Sequence, residues 1–249
     1  IISHYVPAIS FGGPLHVAHG LGRAMVEHGH EVTVCCTNMR EPSGNLDEPL
    51  DQPVTVDGVR VFYERVRGLR HWGFSTDLAW RVFHEARCAD LVITHFHYQF
   101  ASVIGGWCAR LFGKPHVVFT HGSLNRHGLQ ARHSTIKLVY LRLLESGNFR
   151  KALFVAYNSP GELDQSLRFG TSNLVVPSGI DVDVFEDGPG RGEFRARYPG
   201  IGGRFLFLYM GRLAPGKGLD ILLRSISSVL SAHSNVQLVI AGGDERGYI

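Results

Sequence analysis

Tyr209-Met210-Gly211-Arg212-Leu213-Ala214-Pro215-Gly216-Lys217-Gly218 is the stretch on which the reading of this chain turns. It follows an apolar run, Phe205-Leu206-Phe207-Leu208, that reads as a buried strand. It opens a helix expected from Leu219 to His233, with Leu219, Leu222, Leu223, Ile226, Val229 and Leu230 on its core face. A glycine-rich turn between strand and helix lets backbone N–H groups approach an anion closely. Gly211 starts that turn, and Arg212 and Lys217 place two cations beside the helix start. Arginine can hold phosphate oxygens bidentately, and lysine acts as a mobile point charge. Taken alone, the stretch is equally an ordinary loop with two solvated cations.

The same grammar recurs on either side. Downstream, Val236 to Ala241 reads as a strand that leads into Gly242-Gly243-Asp244. At the other end of the chain, Ile1 to Ile9 reads as a first strand and Phe11-Gly12-Gly13-Pro14 as a turn. A helix follows through Leu15, Ala18, Leu21 and Met25 to His28-Gly29-His30, with proline suited to its first turn. Glu31 to Thr37 is the next strand. Strand, glycine turn, helix, strand is a βαβ unit and implies a parallel sheet. Gly12 and Gly13 therefore fall at a strand's carboxyl end, where open α/β sheets bind ligands.

Between these two units the alternation continues. Val54 to Tyr63 reads as a hairpin about Asp57-Gly58. A helix over Asp77–Ala89 buries Leu78, Val82 and Ala86, and a strand follows at Leu91–Thr94. A helix over Phe100–Phe112 precedes the strand His116–Thr120, which ends in His121-Gly122-Ser123. Ala152–Tyr157 is a strand, and Ser159-Pro160-Gly161-Glu162 has the form of a capping box opening a short helix. Asn173–Pro177 is a further strand, running into Ser178-Gly179-Ile180-Asp181. Residues 186–203 are rich in glycine and charge and mark a domain boundary. The expected fold is α/β, with two Rossmann-like doubly wound parallel-sheet domains over residues 1–190 and 204–249. The second holds two strands and one helix, too few for a doubly wound domain, so the expectation is an incomplete domain and a fragment.

Composition narrows the class. Of 249 residues, 44% are hydrophobic and 19% charged, as in a globular protein. The formal charge of +3 is too small for a nucleic-acid binder. No apolar run is long enough to span a bilayer. Cys35, Cys36, Cys88 and Cys108 have neither zinc nor redox spacing and sit in or beside apolar runs, which points to reduced, buried thiols and a reducing cytoplasm.

Two further features carry functional expectations. His95 and His97 could chelate only with a third ligand, which no local spacing supplies, so they read as polar residues at a strand end. His121 closes a buried strand before a glycine and is expected to project above the sheet. Residues 126–151 carry Arg126, Arg132, Lys137, Arg142, Arg150 and Lys151 against the single acid Glu145. Ile136, Tyr140, Leu143 and Leu144 recur there at helical spacing. The favoured expectation is a core-packed helix with a solvated basic face, and the competing one is peripheral contact with an anionic membrane.

Four segments, in order, resemble the retaining nucleotide-sugar glycosyltransferases of family 4, which have the GT-B fold. They are Phe11-Gly12-Gly13-Pro14 with the helix ending Gly29-His30-Glu31-Val32; Thr120-His121-Gly122-Ser123; Val176-Pro177-Ser178-Gly179-Ile180-Asp181 with Phe185; and Gly211-Arg212-Leu213 through Lys217-Gly218. The resemblance implies sugar transfer from a nucleotide-sugar donor to an acceptor with retention of configuration, in glycan or cell-surface polysaccharide synthesis. Arg212 and Lys217 would hold the donor diphosphate and stabilise the charge that builds on it, without a metal or other cofactor. Gly12, Gly13 and Gly211 would let backbone close over the donor, and His121 would contact the transferred sugar. The implied partners are the nucleotide sugar and a glycan or lipid-linked acceptor, in the cytoplasm or at the inner membrane face. Family members carry a glutamate pair further into the second domain than this sequence reaches, so these residues by themselves are expected not to turn over. Glu245 is not cast in that role.

Three other readings stand beside this one. A nucleotide-sugar 2-epimerase shares the architecture and would give epimerised donor instead of glycosylated acceptor. A dinucleotide-dependent oxidoreductase is disfavoured, because the first turn is not Gly-x-Gly-x-x-Gly and no acid ends the second strand at Thr37. A non-catalytic acceptor-binding module would bind acceptor without donor.

Overall fold

The computed structural model describes residues 1–8, 12–40, 43–50, 52–126, 134–182, 188, 190, 192–214, 217–244 and 247. The expectations placed on Ile9, Phe11, Arg132, Phe185, Pro215, Gly216 and Glu245 fall outside these. The chain forms two compact units, Ile1–Asp181 and Val182–Ile249.

In the first unit the parallel strands β1 (Thr33–Thr37) and β3 (Val59–Glu64) pair in register, and β2 (Val54–Val56) adds antiparallel to β3. A second parallel set runs in the order β4 (Val92–His95), β5 (His116–Phe119), β6 (Phe154–Tyr157) and β7 (Asn173–Val175). The expected first strand is reduced to one residue. Ile2 bridges Cys35 of β1 on one side and Thr94 of β4 on the other, both parallel. The N–H of Ile2 donates to Ile93 O, and the N–H of Cys35 to Ile1 O. The N-terminal segment thus joins both sets into a single sheet, and Gly12 follows from its carboxyl end.

Helices cover both faces, as period-2 burial in the strands requires. Val34 and Cys36 of β1 pack with Leu15 of α1 (Gly13–Glu27). The intervening Cys35 packs on the opposite face, with Leu78, Val82 and Ala86 of α2 (Thr76–Cys88) and Cys108 and Ala109 of α3 (Phe100–Leu111). Ser75 caps α2 by accepting from Leu78 N–H. Cys35, Cys36 and Cys108 are buried free thiols, whereas Cys88, at the last turn of α2, is exposed and corrects the expectation for that residue.

Residues 134–151 form a helical run: α4 (Ser134–Tyr140), a π-helical turn (Leu141–Glu145) and α5 (Ser146–Lys151). Its expected core face is only partly borne out. Tyr140 is half-buried, its hydroxyl accepting from Trp72 Nε1–H (2.8 Å) and donating to Gln99 O (3.3 Å), but Ile136, Leu143 and Leu144 are exposed, while Leu141, Glu145, Asn148 and Phe149 point inward. The inward set keeps helical spacing, so the period was right and the phase was shifted. Glu145 sets the phase: its carboxylate accepts from Ser102 Oγ (2.6 Å) and Tyr98 N–H (3.1 Å) and meets His97 Nδ1 (3.1 Å). A buried carboxylate is tolerated only with such partners. α6 (Pro160–Gln165) follows β6.

In the second unit α7 (Glu193–Arg197) precedes β8 (Phe205–Met210), and α8 (Leu219–Ala232) connects β8 to the parallel strand β9 (Val236–Ala241). Leu219 and Ile226 are the buried residues of α8. Leu223 and Leu230 of α8 are exposed, as are Phe205, Phe207 and Leu208 of β8, contrary to the expected burial. One helix covers a single face of a two-stranded sheet, whereas a parallel sheet buries its residues when both faces are covered. The strand ends are held together tightly. The N–H of Gly211 donates to Ala241 O, and that of Leu213 to Gly243 O. A Cβ at Gly242 would lie 1.8 Å from the carbonyl oxygen of Gly211, so only glycine fits there.

Candidate functional site

The site residues expected from the sequence fall into two groups, one in each unit. In the first unit they line the carboxyl edge of the sheet. Gly12 is the N-cap of α1 with φ 79°, a backbone conformation open to glycine, and no side chain caps the helix there. Gly13 begins α1, with open space where a Cβ would lie. Two places along the sheet, His121 follows β5.

His121 has φ 48° and Gly122 φ 77°, so two consecutive residues are left-handed. For a non-glycine residue this costs on the order of 1–3 kcal/mol and persists only where neighbours over-determine it. Glu162 does much of that. Its Oε1 accepts from Gly122 N–H (2.6 Å) and Thr120 Oγ1 (2.5 Å), and its Oε2 accepts from Asn158 N–H (2.7 Å). The capping-box reading is therefore half right. Ser159 Oγ does accept from Glu162 N–H (3.1 Å), but the carboxylate serves the His121 turn.

The second fixture is His95, the last residue of β4. Its Nδ1 lies 2.8 Å from Nε2 of His121. Burial, with the neighbouring His97 as a smaller cause, lowers the His121 pKa to about 4. Burial first, then His121, holds His95 well below its ordinary value. Both rings are neutral near pH 7, so His121 can offer a hydrogen bond and no charge. His97, which leaves the strand, turns instead to Glu145. Among the described residues no group of three or more histidine, cysteine or acidic side chains could hold a metal ion.

Sequence reasoning missed three participants. Glu162 was visible as the third residue of its helix, but not its reach to β5. His95 had only its place at a strand end. Asp181 accepts from Arg23 Nη2 of α1 at 2.5 Å, tying the Ser178-Gly179-Ile180-Asp181 segment to that helix. No local pattern announces a contact across 158 residues.

In the second unit Gly211 directly follows β8, and Arg212 and Lys217 lie on the loop from β8 to α8, both exposed. Neither side chain has a hydrogen bond or ion pair among the described residues. Gly218 is the N-cap of α8 and brings no side chain to its first amides. Lys217 directly precedes the N-cap residue of α8 and Arg212 directly follows Gly211 on the same loop, and a helix start without a side-chain cap at a parallel strand's carboxyl end is in general suited to an anion.

Residues 12–179 match the family model for the glycosyl transferase 4-like domain, and residues 191–248 match that for glycosyl transferases group 1. The uncharacterized glycosyltransferase MJ1607 of Methanocaldococcus jannaschii is 25% identical over 98% of this chain and 63% of its own length. The GDP-mannose-dependent alpha-(1-6)-phosphatidylinositol monomannoside mannosyltransferase of Mycolicibacterium smegmatis is 36% identical over 30% of this chain and 20% of its own. Among solved structures, Anabaena Alr3699/HepE in complex with UDP and glucose superposes with a TM-score of 0.65 at 18% identity, over 97% of this chain and 61% of that one. The E. coli structure described as trehalose-6-phosphate bound with UDP-2-fluoro glucose gives a TM-score of 0.60 at 12% identity, over 100% of this chain and 66% of that one. The chain therefore spans 63% of the length of MJ1607 and 61% of the HepE chain, and the structural likeness carries the GT-B fold.

Proposed function

The chain belongs to the glycosyl transferase 4-like family, and from that premise we propose that the protein transfers a hexose from a nucleotide-sugar donor to a glycan or lipid-linked acceptor with retention of anomeric configuration. The observation that carries this reading is that Arg212 and Lys217, on the loop leading to the uncapped start of α8, are exposed and their side chains have no hydrogen bond or ion pair among the described residues. As the glycosidic bond breaks, negative charge grows on the departing diphosphate. Cations fixed where that charge appears lower the barrier, because they interact more strongly with the transition state than with the ground state. No metal is needed in this scheme. In the first unit, Gly12 and Gly13 have open space where a Cβ would lie, and His121 is assigned as a hydrogen-bonding contact of the transferred sugar. The group 1 match over residues 191–248, the UDP and glucose bound to HepE and the UDP-2-fluoro glucose of the E. coli structure support it.

The acceptor is assigned to the first unit. A polar cleft of about 460 Å³ opens there at the end of β3, lined by Glu64, Arg67, Asp77, Trp80 and Arg81 among others. The helical run 134–151 supports a membrane approach. Ile136 is 67% and Leu143 75% exposed, Arg142, Arg150 and Lys151 are exposed, and the only acid, Glu145, is buried. Apolar side chains flanked by cations, with no outward acid, suit an anionic lipid surface. No helix among the described residues is long and apolar enough to cross a membrane.

The test is donor binding and turnover in the full-length protein. The right donor among UDP, GDP and ADP sugars raises the melting temperature by mass action. The anomeric configuration of the product, read by NMR, reports retention. If no nucleotide sugar stabilises the protein and none is consumed, the reading fails.

A further inference from the structure

The buried partner of His121 has a property that fixes more than position. His95 is 1% exposed, and its ring lies parallel to Phe119 with centroids 4.7 Å apart and planes within 6°. Its centroid is 5.1 Å from that of His121, with 21° between the planes. With nitrogens only 2.8 Å apart, so wide a centroid separation means that the rings meet edge to edge through one N–H···N hydrogen bond. The other nitrogen of His95, Nε2, is buried and has no partner among the described residues.

Two neutral imidazoles can share that bond in two ways. If His121 donates from Nε2, the proton of His95 sits on its own Nε2, an N–H enclosed without an acceptor. If His95 donates from Nδ1, its Nε2 is a bare lone pair. Buried N–H groups without partners are the rarer and costlier defect, whereas an under-used acceptor is better tolerated. The second arrangement leaves His121 one choice. Its Nε2 accepts from His95, so its proton sits on Nδ1, the nitrogen that makes no hydrogen bond among the described residues.

We infer that His95 is a positioning residue that sets the tautomer of His121, so that His121 presents an Nδ1–H donor and binds an oxygen acceptor of the sugar or phosphate class. This rests on the reading of His121 as a sugar contact, and extends it to the direction of the hydrogen bond. An Nδ1–H donor welcomes a hydroxyl or phosphate oxygen and disfavours a protonated amine on the sugar, which has no lone pair to offer.

The proton can be located without turnover. The chain would be labelled with ¹⁵N-histidine, and long-range proton–nitrogen spectra recorded near pH 7, with His121→Gln to assign the His121 signals. The expected pattern is a protonated Nδ1 and an unprotonated Nε2 at His121. In His95→Phe, which keeps a flat ring against Phe119 but has no donor, the pattern is expected to move toward protonation at Nε2. His95→Asn offers an amide donor as a second variant should the phenylalanine fail to fold, and it should retain the wild-type pattern. A proton on His121 Nε2 in the wild-type chain, or an unchanged tautomer in His95→Phe, overturns the inference. In the full-length protein, His95→Phe should lower kcat/KM about fivefold, the value of one neutral hydrogen bond. Sugar transfer that survives a wrong tautomer result would remove the role of His95 alone. The expected tautomer in a protein that binds no nucleotide sugar would instead remove the transferase reading.

Discussion

The turn after β5 and the loop after β8 occupy corresponding places, each at the carboxyl end of a parallel strand, yet they are built in opposite ways. In the first, polar groups are used internally: Glu162 holds Thr120, Gly122 and Asn158, and His95 holds His121. In the second, Arg212 and Lys217 are exposed and have no partner among the described residues. A neutral hydrogen-bonding group gains from rigidity, because its direction is its whole contribution. A pair of cations meant for a polyanion gains from being left unneutralised. The difference predicts which variants harm stability and which harm chemistry.

The largest effect is expected at the cations. Arg212→Ala or Lys217→Ala in the full-length protein should slow sugar transfer about 10²–10³-fold, by analogy with a lost oxyanion donor. Exposed substitutions of this kind usually shift stability by no more than about 0.5 kcal/mol. If either variant stays within a few-fold of the parent rate, the diphosphate role fails. Glu162→Ala should show the reverse pattern. It removes the charged acceptor of three hydrogen bonds and should destabilise the first unit by about 2–4 kcal/mol in chemical denaturation. A variant as stable as the parent would show that the His121 turn holds itself.

Acidification should weaken the first unit as well. Burial lowers His4 and His116 to about 3 and His121 to about 4. The unfolded chain takes up these protons near pH 6.5, so it binds more protons than the native state below that value. The stability from keeping the rings neutral is complete above about 6.5 and declines as pH falls toward 4. Each fully buried ring contributes a slope of up to about 1.4 kcal/mol per pH unit. A melting temperature that holds steady from pH 7 to 4.5 would contradict the buried, neutral assignment. The smallest effect concerns the membrane face. The protein should float with anionic liposomes at low salt and be released at high salt, and Leu143→Glu should weaken flotation with little change in melting temperature. Absence of cosedimentation at low salt would end the membrane proposal.

Much of the fold could be read in advance. The helix opening at Pro14, the hairpin about Asp57-Gly58 and the strands expected at 31–37, 91–94, 116–120 and 152–157 followed from periodicity and turn chemistry, and the structure has each within two residues of those bounds. The first strand was legible in position and not in extent, since Ile2 is held by single bridges to β1 and β4. The helical run 134–151 was legible in period and only partly in phase, since Tyr140 of the expected face is half-buried and Ile136, Leu143 and Leu144 are exposed. A charged residue reads as outward in sequence, and only the donors from residues 97, 98 and 102 make an inward Glu145 affordable.

The amino-acid order by itself determined the alternation of strands and helices, the glycine turns at their junctions and the cations beside the start of α8, because each is set by backbone stereochemistry and residue type within a few positions. Tertiary structure alone decided the inward turn of Glu145, the link of Glu162 to the His121 turn and the pairing of His95 with His121. Those depend on which distant polar atoms meet away from water, where a partner tens of residues away outweighs any local preference.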